Sequence, residues 1–396
     1  SRTDRSTLAA WWFTVDRQLL IGILVLLATG IIFSLAASPT VALKKGLAPY
    51  TYVERHILFA GIGTFLVLAI SFLPPMIIRR ISLVLFVSSI ALIVGVLFFG
   101  PEINGARRWV RFLGQSLQPS EFLKPAFIIL MAWCLAEHAR TGRRSLLLIT
   151  MIMLACVVAL LILQPDLGQS LIFAILWGGL FFAAGYSLLW PLAAAGLGTA
   201  AIVGAYRTFP HVRSRFDGFF RPDQSDTYQI DRAVQSFVEG GWFGRGPGEG
   251  VIKSILPDAH TDFILAVIAE EFGIAVCLVL IGLFGFVIVR ALQHTWRMEN
   301  LFARNAAAGF TVLLATQTFA NMGVNTGLLP AKGVTLPFIS YGGSSLIAMS
   351  IAMGMLVALT RRSAEINAPA LPNLRPHSAP KNARFESNPA STSQAG

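Results

Sequence analysis

The 396-residue chain is 55% hydrophobic and 13% charged, with a mean hydropathy of +0.67 and a formal net charge of +11. That composition excludes an ordinary soluble domain and points to an all-α polytopic membrane protein. Three cysteines, Cys134, Cys156 and Cys277, fall inside apolar runs, so neither a disulfide framework nor a zinc spacing is available, and they read as packing residues.

Taken in order, apolar stretches at about 18–37, 56–73, 77–99, 122–138, 146–164, 168–185, 187–206, 262–290, 306–328 and 337–360 predict ten transmembrane helices. An even count puts both termini on one side. Short loops on that side carry Arg79 and Arg80, Arg140, Arg143 and Arg144, and Arg297, and the segments flanking the first and last helices carry Arg17 and Arg361; the positive-inside rule makes this side cytoplasmic. The expected domains are a cytoplasmic segment 1–17, a transmembrane body 18–362, and a tail 363–396 whose Pro, Ser, Asn and Ala content predicts disorder. A long extracytoplasmic loop, 206–261, separates helices seven and eight. No cleavable signal peptide is expected.

The outer face holds more basic charge than topology needs, including Arg107, Arg108, Arg111, Lys124, Arg207, Arg215 and Lys253. An anion is its natural partner, with Arg and Lys clamping a phosphate, although part of this charge also suits a solvated surface or lipid headgroups. No nucleic acid is expected.

Five polar patches interrupt the apolar pattern. In NGARRWVRFLGQSLQPSEFLK, residues 104–124, three arginines surround Trp109, and Glu121 and Lys124 are spaced i,i+3 at a helix start that Ser120 would cap. Asp166, in Gln164-Pro165-Asp166, suits a cap between two spans. GGWFGRGPGEG, residues 240–250, follows no strand, so it reads as a mobile loop whose Trp242 and Phe243 touch membrane or a lipid rather than as a nucleotide site. LPDAHTDFILAVIAEEFG, residues 256–273, gathers Asp258, His260, Asp262, Glu270 and Glu271 at an apolar helix that Thr261 or Asp262 would cap. Continued to Arg290, that helix would be about 42 Å long against a hydrocarbon core of about 30 Å, placing Asp262 above the lipid and both glutamates near the interface. GLLPAKGVTLPFISYGGSS, residues 327–345, exposes Lys332, and its Gly342-Gly343 pair favours close helix packing.

The motifs NGARRW, QPSEFLK, QPDLG, RFDGFFRP with TYQ, LPDAHTDFILAVIAEE and LPAKGVTLPFISYGGSS resemble those of the SEDS family, in the same order, over about residues 15–362. LPAKGVTLP, with Lys332, is more similar to the division branch than to the elongation branch. Arg221 departs from the pattern, standing where an acid is usual. The resemblance implies a peptidoglycan glycosyltransferase that polymerises lipid II at the outer face of the bacterial inner membrane, at the division septum. It implies a class B penicillin-binding protein transpeptidase and other divisome membrane proteins as partners. The family's essential acid falls on Asp262 and its essential lysine on Lys124. Asp166, Arg215, Glu121 and Lys332 are weaker carry-overs, and Arg107, Arg108, Trp109, His260, Ser340 and Ser344 complete the candidate substrate contacts.

Under that resemblance Asp262 is the base for the acceptor hydroxyl, and Lys124 with nearby arginines offsets the diphosphate charge. One inverting displacement needs a single carboxylate. A divalent cation, Mg or Mn, on Asp262 or Asp166 stays open, because no carboxylate cluster has unmistakable ligand spacing. Three rival readings remain: a lipid II flippase, which discontinuous helices and repeats would favour, an elongation polymerase, and a division scaffold.

Overall fold

The computed structural model describes residues 7–102, 106–112, 115–187, 189–208, 224–329 and 333–361. Arg215, Arg221, Lys332 and the tail 363–396 lie outside them. α1 (Thr7–Thr14) leads into α2 (Arg17–Lys44), capped by Asp16, whose carboxylate accepts from the Leu19 amide at 2.8 Å. There follow α3 (Thr51–Ser71), α4 (Pro75–Phe99), α5 (Pro119–Thr141), α6 (Ser145–Leu163), α7 (Leu167–Ala183) and α8 (Leu189–Thr208). A small antiparallel hairpin, β1 (Val110–Phe112) and β2 (Gln115–Leu117), stands between α4 and α5. α9 (Gln224–Gly240) and a 3-10 turn (Ile252–Ser254) precede α10 (Ile264–Trp296), α11 (Leu301–Asn325) and α12 (Gly343–Leu359).

Helices stand over each apolar stretch read from the sequence, with α2 running past 37 and α3 starting before 56. Among the described residues six helices, α2 to α6 and α10, are long and apolar enough to cross a membrane, and α7 and α12 are shorter apolar helices. α4 and α6 turn Leu83, Val84, Val87, Leu148 and Ile152 outward, as a lipid-facing surface requires. Cys156 is exposed on that surface rather than packed.

α11 runs through the interior against α5, α7 and α10. It buries Asn305, Gln317, Asn321 and Asn325; the last two bond within the protein, whereas Asn305 Oδ1 and Gln317 Oε1 have no partner among the described residues. α12 packs closely on α3: a Cβ at Gly343 would come within 2.6 Å of the Phe59 ring, so the expected close approach at this glycine is present.

The long helix of 262–290 is corrected. α10 begins at Ile264, and Gly273, at φ 82° and ψ 172°, breaks it into residues 264–272 and 274–296. A Cβ at Gly273 would stand 2.4 Å from the Trp242 carbonyl oxygen and 2.5 Å from the Gly244 amide nitrogen. The glycine-rich loop fills the break. Arg245 and Gly246 amides donate to the Glu270 and Glu271 carbonyls at 2.9 and 3.0 Å, and Ile274 and Ala275 amides donate to the Gly241 and Trp242 carbonyls at 2.9 and 3.2 Å. Both new helix ends thereby find partners without water. The loop expected to be mobile is therefore fastened by its backbone, while Trp242 and Phe243 stay exposed.

Candidate active site

The turn before α10 is built to hold its backbone and release one side chain. The Asp258 carbonyl accepts the amides of Thr261, Asp262 and Phe263 at 3.0, 3.1 and 3.3 Å. Neither Thr261 nor Asp262 caps α10, as the sequence had suggested. The N-cap position is Phe263, without a side-chain bond, and Asn325 of α11 accepts the Ala266 amide through Oδ1 at 3.1 Å. Asn321 and Asn325 also donate through Nδ2 to the Asp262 carbonyl, at 2.8 and 2.9 Å. Two asparagines one helical turn apart thus fix the Asp262 backbone and cap the helix it would otherwise have to cap.

Relieved of that duty, the Asp262 carboxylate has no hydrogen-bond or ion-pair partner among the described residues. It keeps part of its surface accessible while protein closes around it. Burial, with Asp258 nearby, pushes its carboxyl up to about 7. A carboxylate poised there suits general-base work near neutral pH. The backbone at Gly333 passes close by: a Cβ there would stand 3.8 Å from Asp262 Oδ2.

Glu270 and Glu271 are enclosed by the protein itself. Both are buried, at 0% and 1% exposure. Glu270 accepts the Val251, Ile252 and Lys253 amides at 2.6, 2.7 and 3.0 Å, and Glu271 accepts the Gly248 amide at 3.0 Å and pairs with the Lys253 ammonium. They tie the 3-10 turn, and through it the Asp262 turn, to the first half of α10.

A second cluster forms where the hairpin, the start of α5 and the α6–α7 turn meet. Lys124 and Glu121 are buried and paired at 2.7 Å, and Gln169 donates to the same Glu121 oxygen at 2.8 Å. Among the described residues only Glu121 engages the Lys124 ammonium, which leaves donors for an anion. Asp166 caps α7, accepting from the Gln169 amide at 3.3 Å, and also accepts from Gln118 Nε2 at 3.2 Å. Burial pushes its carboxyl up, opposed by Arg108, whose Nε stands 3.8 Å from Oδ2 and donates to the Gln164 carbonyl at 3.2 Å. Ser120 does not cap α5: its hydroxyl is buried without a partner, and Gln118 occupies the cap position. Trp109 is half-buried, and Arg107 lies outward, 3.5 Å from Glu102.

The structure thus brings Arg108, Glu121, Lys124 and Asp166 together and sets Asp262 apart from them; among the described residues no hydrogen bond or ion pair joins the two clusters. α11, packed on α5, α7 and α10, connects them. Ser340 is buried and accepts the Leu336 amide at 2.8 Å, Ser344 is buried at the start of α12, and the His260 carbonyl accepts the Tyr341 amide at 2.9 Å. No group of three or more His, Cys, Asp or Glu side chains able to hold a metal ion stands among the described residues. A Mg or Mn ion on Asp262 or Asp166 would need phosphate oxygens and water to complete its shell. The sequence reading missed Gln118, Gln169, Asn321 and Asn325; two amides at i,i+4 in an apolar helix were the signal for the last pair.

Comparison with known proteins gives one family over nearly the whole length. The family described as cell cycle protein, FtsW/RodA/SpoVE, matches residues 17–365. The chain is 42% identical over 363 residues to the probable peptidoglycan glycosyltransferase FtsW of Caulobacter vibrioides, covering 91% of this chain and 93% of that one. It is 36% identical to the protein of the same name from Trichlorobacter lovleyi, covering 87% and 93%. Among solved structures it is similar to a chain described under structural coordination of polymerization and crosslinking by a peptidoglycan synthase complex, with a TM-score of 0.72, 27% identity, and 88% and 98% of the two chains covered. It is also similar to the rod shape determining protein RodA of Thermus thermophilus, with a TM-score of 0.65, 26% identity and coverage of 88% and 97%.

Proposed function

The chain belongs to the cell cycle protein family of FtsW, RodA and SpoVE, and from that premise we propose that it is an FtsW-type peptidoglycan glycosyltransferase, polymerising lipid II for septal wall synthesis in the bacterial inner membrane. The observation that carries the mechanism is the Asp262 carboxylate, mounted on a fixed backbone, free of donors among the described residues and poised near neutrality. The acceptor sugar's 4-hydroxyl gives its proton to Asp262 as its oxygen bonds to the donor's anomeric carbon. The bond from that carbon to the diphosphate oxygen breaks, and the electron pair leaves with the polyprenyl diphosphate. Configuration inverts, so no covalent enzyme intermediate is needed. Lys124, with unused donors, and Arg108 beside it offset the charge that develops on the leaving diphosphate.

The Asp262 end of α10 and the loop 206–261 face the periplasm in this reading, both termini face the cytoplasm, and the catalytic body spans 18–362. Short-loop arginines support that orientation. A class B penicillin-binding protein transpeptidase and other divisome proteins are its expected partners, in keeping with the similarity to a chain of a complex that couples polymerization to crosslinking.

The break in α10 is the feature that would favour lipid transport. At its two helix ends, however, the Glu270 and Glu271 carbonyls and the Ile274 and Ala275 amides are already bonded to residues 241–246, which takes them from a substrate. Polymerisation is tested by giving labelled lipid II to the purified protein, with and without its transpeptidase partner. Glycan strands are expected; transfer of lipid II across a bilayer without strand formation would replace this reading with transport.

A further inference from the structure

A cavity of about 220 Å³ opens where the end of α2 meets the turn that leads to Asp262, and the mechanism above does not use it. Val41, Lys44, Lys45, Lys253, Asp258 and His260 are among its walls. Lys253 is committed: its ammonium pairs with buried Glu271 and donates to the Gly248 carbonyl at 3.2 Å. Lys44 and Lys45 are exposed, and neither makes an ion pair among the described residues; the Lys45 ammonium lies 5.4 Å from the centroid of the Tyr52 ring. Asp258 is the opposing charge, which leaves the mouth with a net positive balance.

His260 is the second, independent sign of a ligand. It is only 4% exposed, stacked on Tyr341 at 5.5 Å and tilted against Tyr52 at 5.0 Å, yet its Nδ1 has no hydrogen-bond partner. Nδ1 is sealed from the cavity, whereas Nε2, also without a partner among the described residues, keeps accessible surface and is the ring nitrogen a ligand can meet. Burial, with Lys45 nearby, holds the imidazole down at about 4, so it is neutral at pH 7 and donates through one nitrogen without needing a proton from solvent.

We propose that this cavity seats a phosphoryl group, with Lys44 and Lys45 supplying charge and His260 a directional hydrogen bond. The inference rests on the polymerase reading for its biological sense: joining two lipid-linked sugars brings two diphosphates to one base, and the Arg108–Lys124 cluster accommodates one of them. The cavity, walled by Asp258 and His260 of the turn that leads to Asp262, offers a seat for the second. An anionic phospholipid headgroup carries the same chemistry, so the two sources are separated experimentally.

The test titrates inorganic pyrophosphate into the purified full-length protein in phosphatidylcholine nanodiscs. Lys44→Gln/Lys45→Gln is expected to remove one bound equivalent relative to wild type, Lys44→Arg/Lys45→Arg to keep it, and His260→Asn to weaken it about tenfold, all with unchanged thermal unfolding. An isotherm insensitive to these substitutions, including no millimolar binding by wild type, overturns the proposal. Displacement by a short-chain polyprenyl-diphosphate disaccharide assigns the seat to substrate, and displacement by added phosphatidylglycerol assigns it to lipid. Polymerisation is followed in the same preparations, with and without the transpeptidase partner. Loss of the equivalent in a protein that makes no glycan keeps the cavity and rejects the polymerase reading, whereas glycan synthesis with an insensitive isotherm rejects the cavity alone.

Discussion

Asp262 and the pair Glu270 and Glu271 belong to one stretch of sequence and meet opposite fates in the fold. The glutamates are saturated: four backbone amides and an ammonium converge on their carboxylates, which lie buried against the glycine-rich loop. Asp262 is held only through its backbone, by its amide on the Asp258 carbonyl and its carbonyl on Asn321 and Asn325, and its carboxylate is left without a donor among the described residues. The contrast separates two uses of a buried acid. One whose lone pairs are filled by amides fixes the chain in place, and one whose backbone is fixed by others can take up a proton.

The largest expected effect breaks the chemical side of that contrast. Asp262→Asn keeps shape and backbone bonds but loses the base, so lipid II polymerisation should fall by about 10² to 10⁴ while thermal unfolding stays unchanged. Near-normal glycan synthesis by the folded variant would remove Asp262 from catalysis. Lys124→Ala should lower turnover by about 10² to 10³, and Lys124→Arg should recover little, because the guanidinium fork does not reproduce the ammonium's contact with Glu121. Full activity with Arg would reduce Lys124 to a general positive charge.

The structural side is tested next. Glu270→Ala strands three amides, each costing about 1–3 kcal/mol if it stays buried and unpaired, so the expected outcome is a marked loss of thermal stability and of folded yield. Unfolding like wild type would show that the loop is not held through Glu270. Asn325→Ala is milder: it removes one bond to the Asp262 carbonyl and the cap on Ala266, a loss of about 1–2 kcal/mol. Polymerisation should drop about tenfold with little change in KM, since the base is displaced and the phosphate cluster is untouched. A pure loss of stability with normal kcat would deny Asn325 a positioning role.

Much of this arrangement was legible in the sequence, and the exceptions have physical causes. Apolar runs marked the helices, and the spacing of Glu121 and Lys124 anticipated their ion pair. The break at Gly273 was not visible, because a single glycine inside an apolar run is tolerated by a helix. What forces the break is the backbone of residues 241–246, distant in sequence. The caps were misassigned for a related reason: local Thr261, Asp262 and Ser120 were expected to cap, whereas α10 takes its cap from Asn325 on another helix and α5 starts from Gln118 and Pro119 without one. The joining of Arg108, Gln118 and Gln169 to Asp166 and Glu121 draws on three separate elements, and no spacing within one of them reveals it.

The pH dependence of kcat/KM for lipid II tests the account most directly, because it reads the Asp262 carboxyl in the free enzyme. Activity should rise with pH through a limb near 7, as Asp262 loses its proton. Asp258→Asn removes the neighbouring like charge and should move that limb to lower pH, and Asp262→Asn should abolish it. A limb in the ordinary carboxylate range near pH 4, or one that ignores both substitutions, would contradict the claim that this carboxylate is the base.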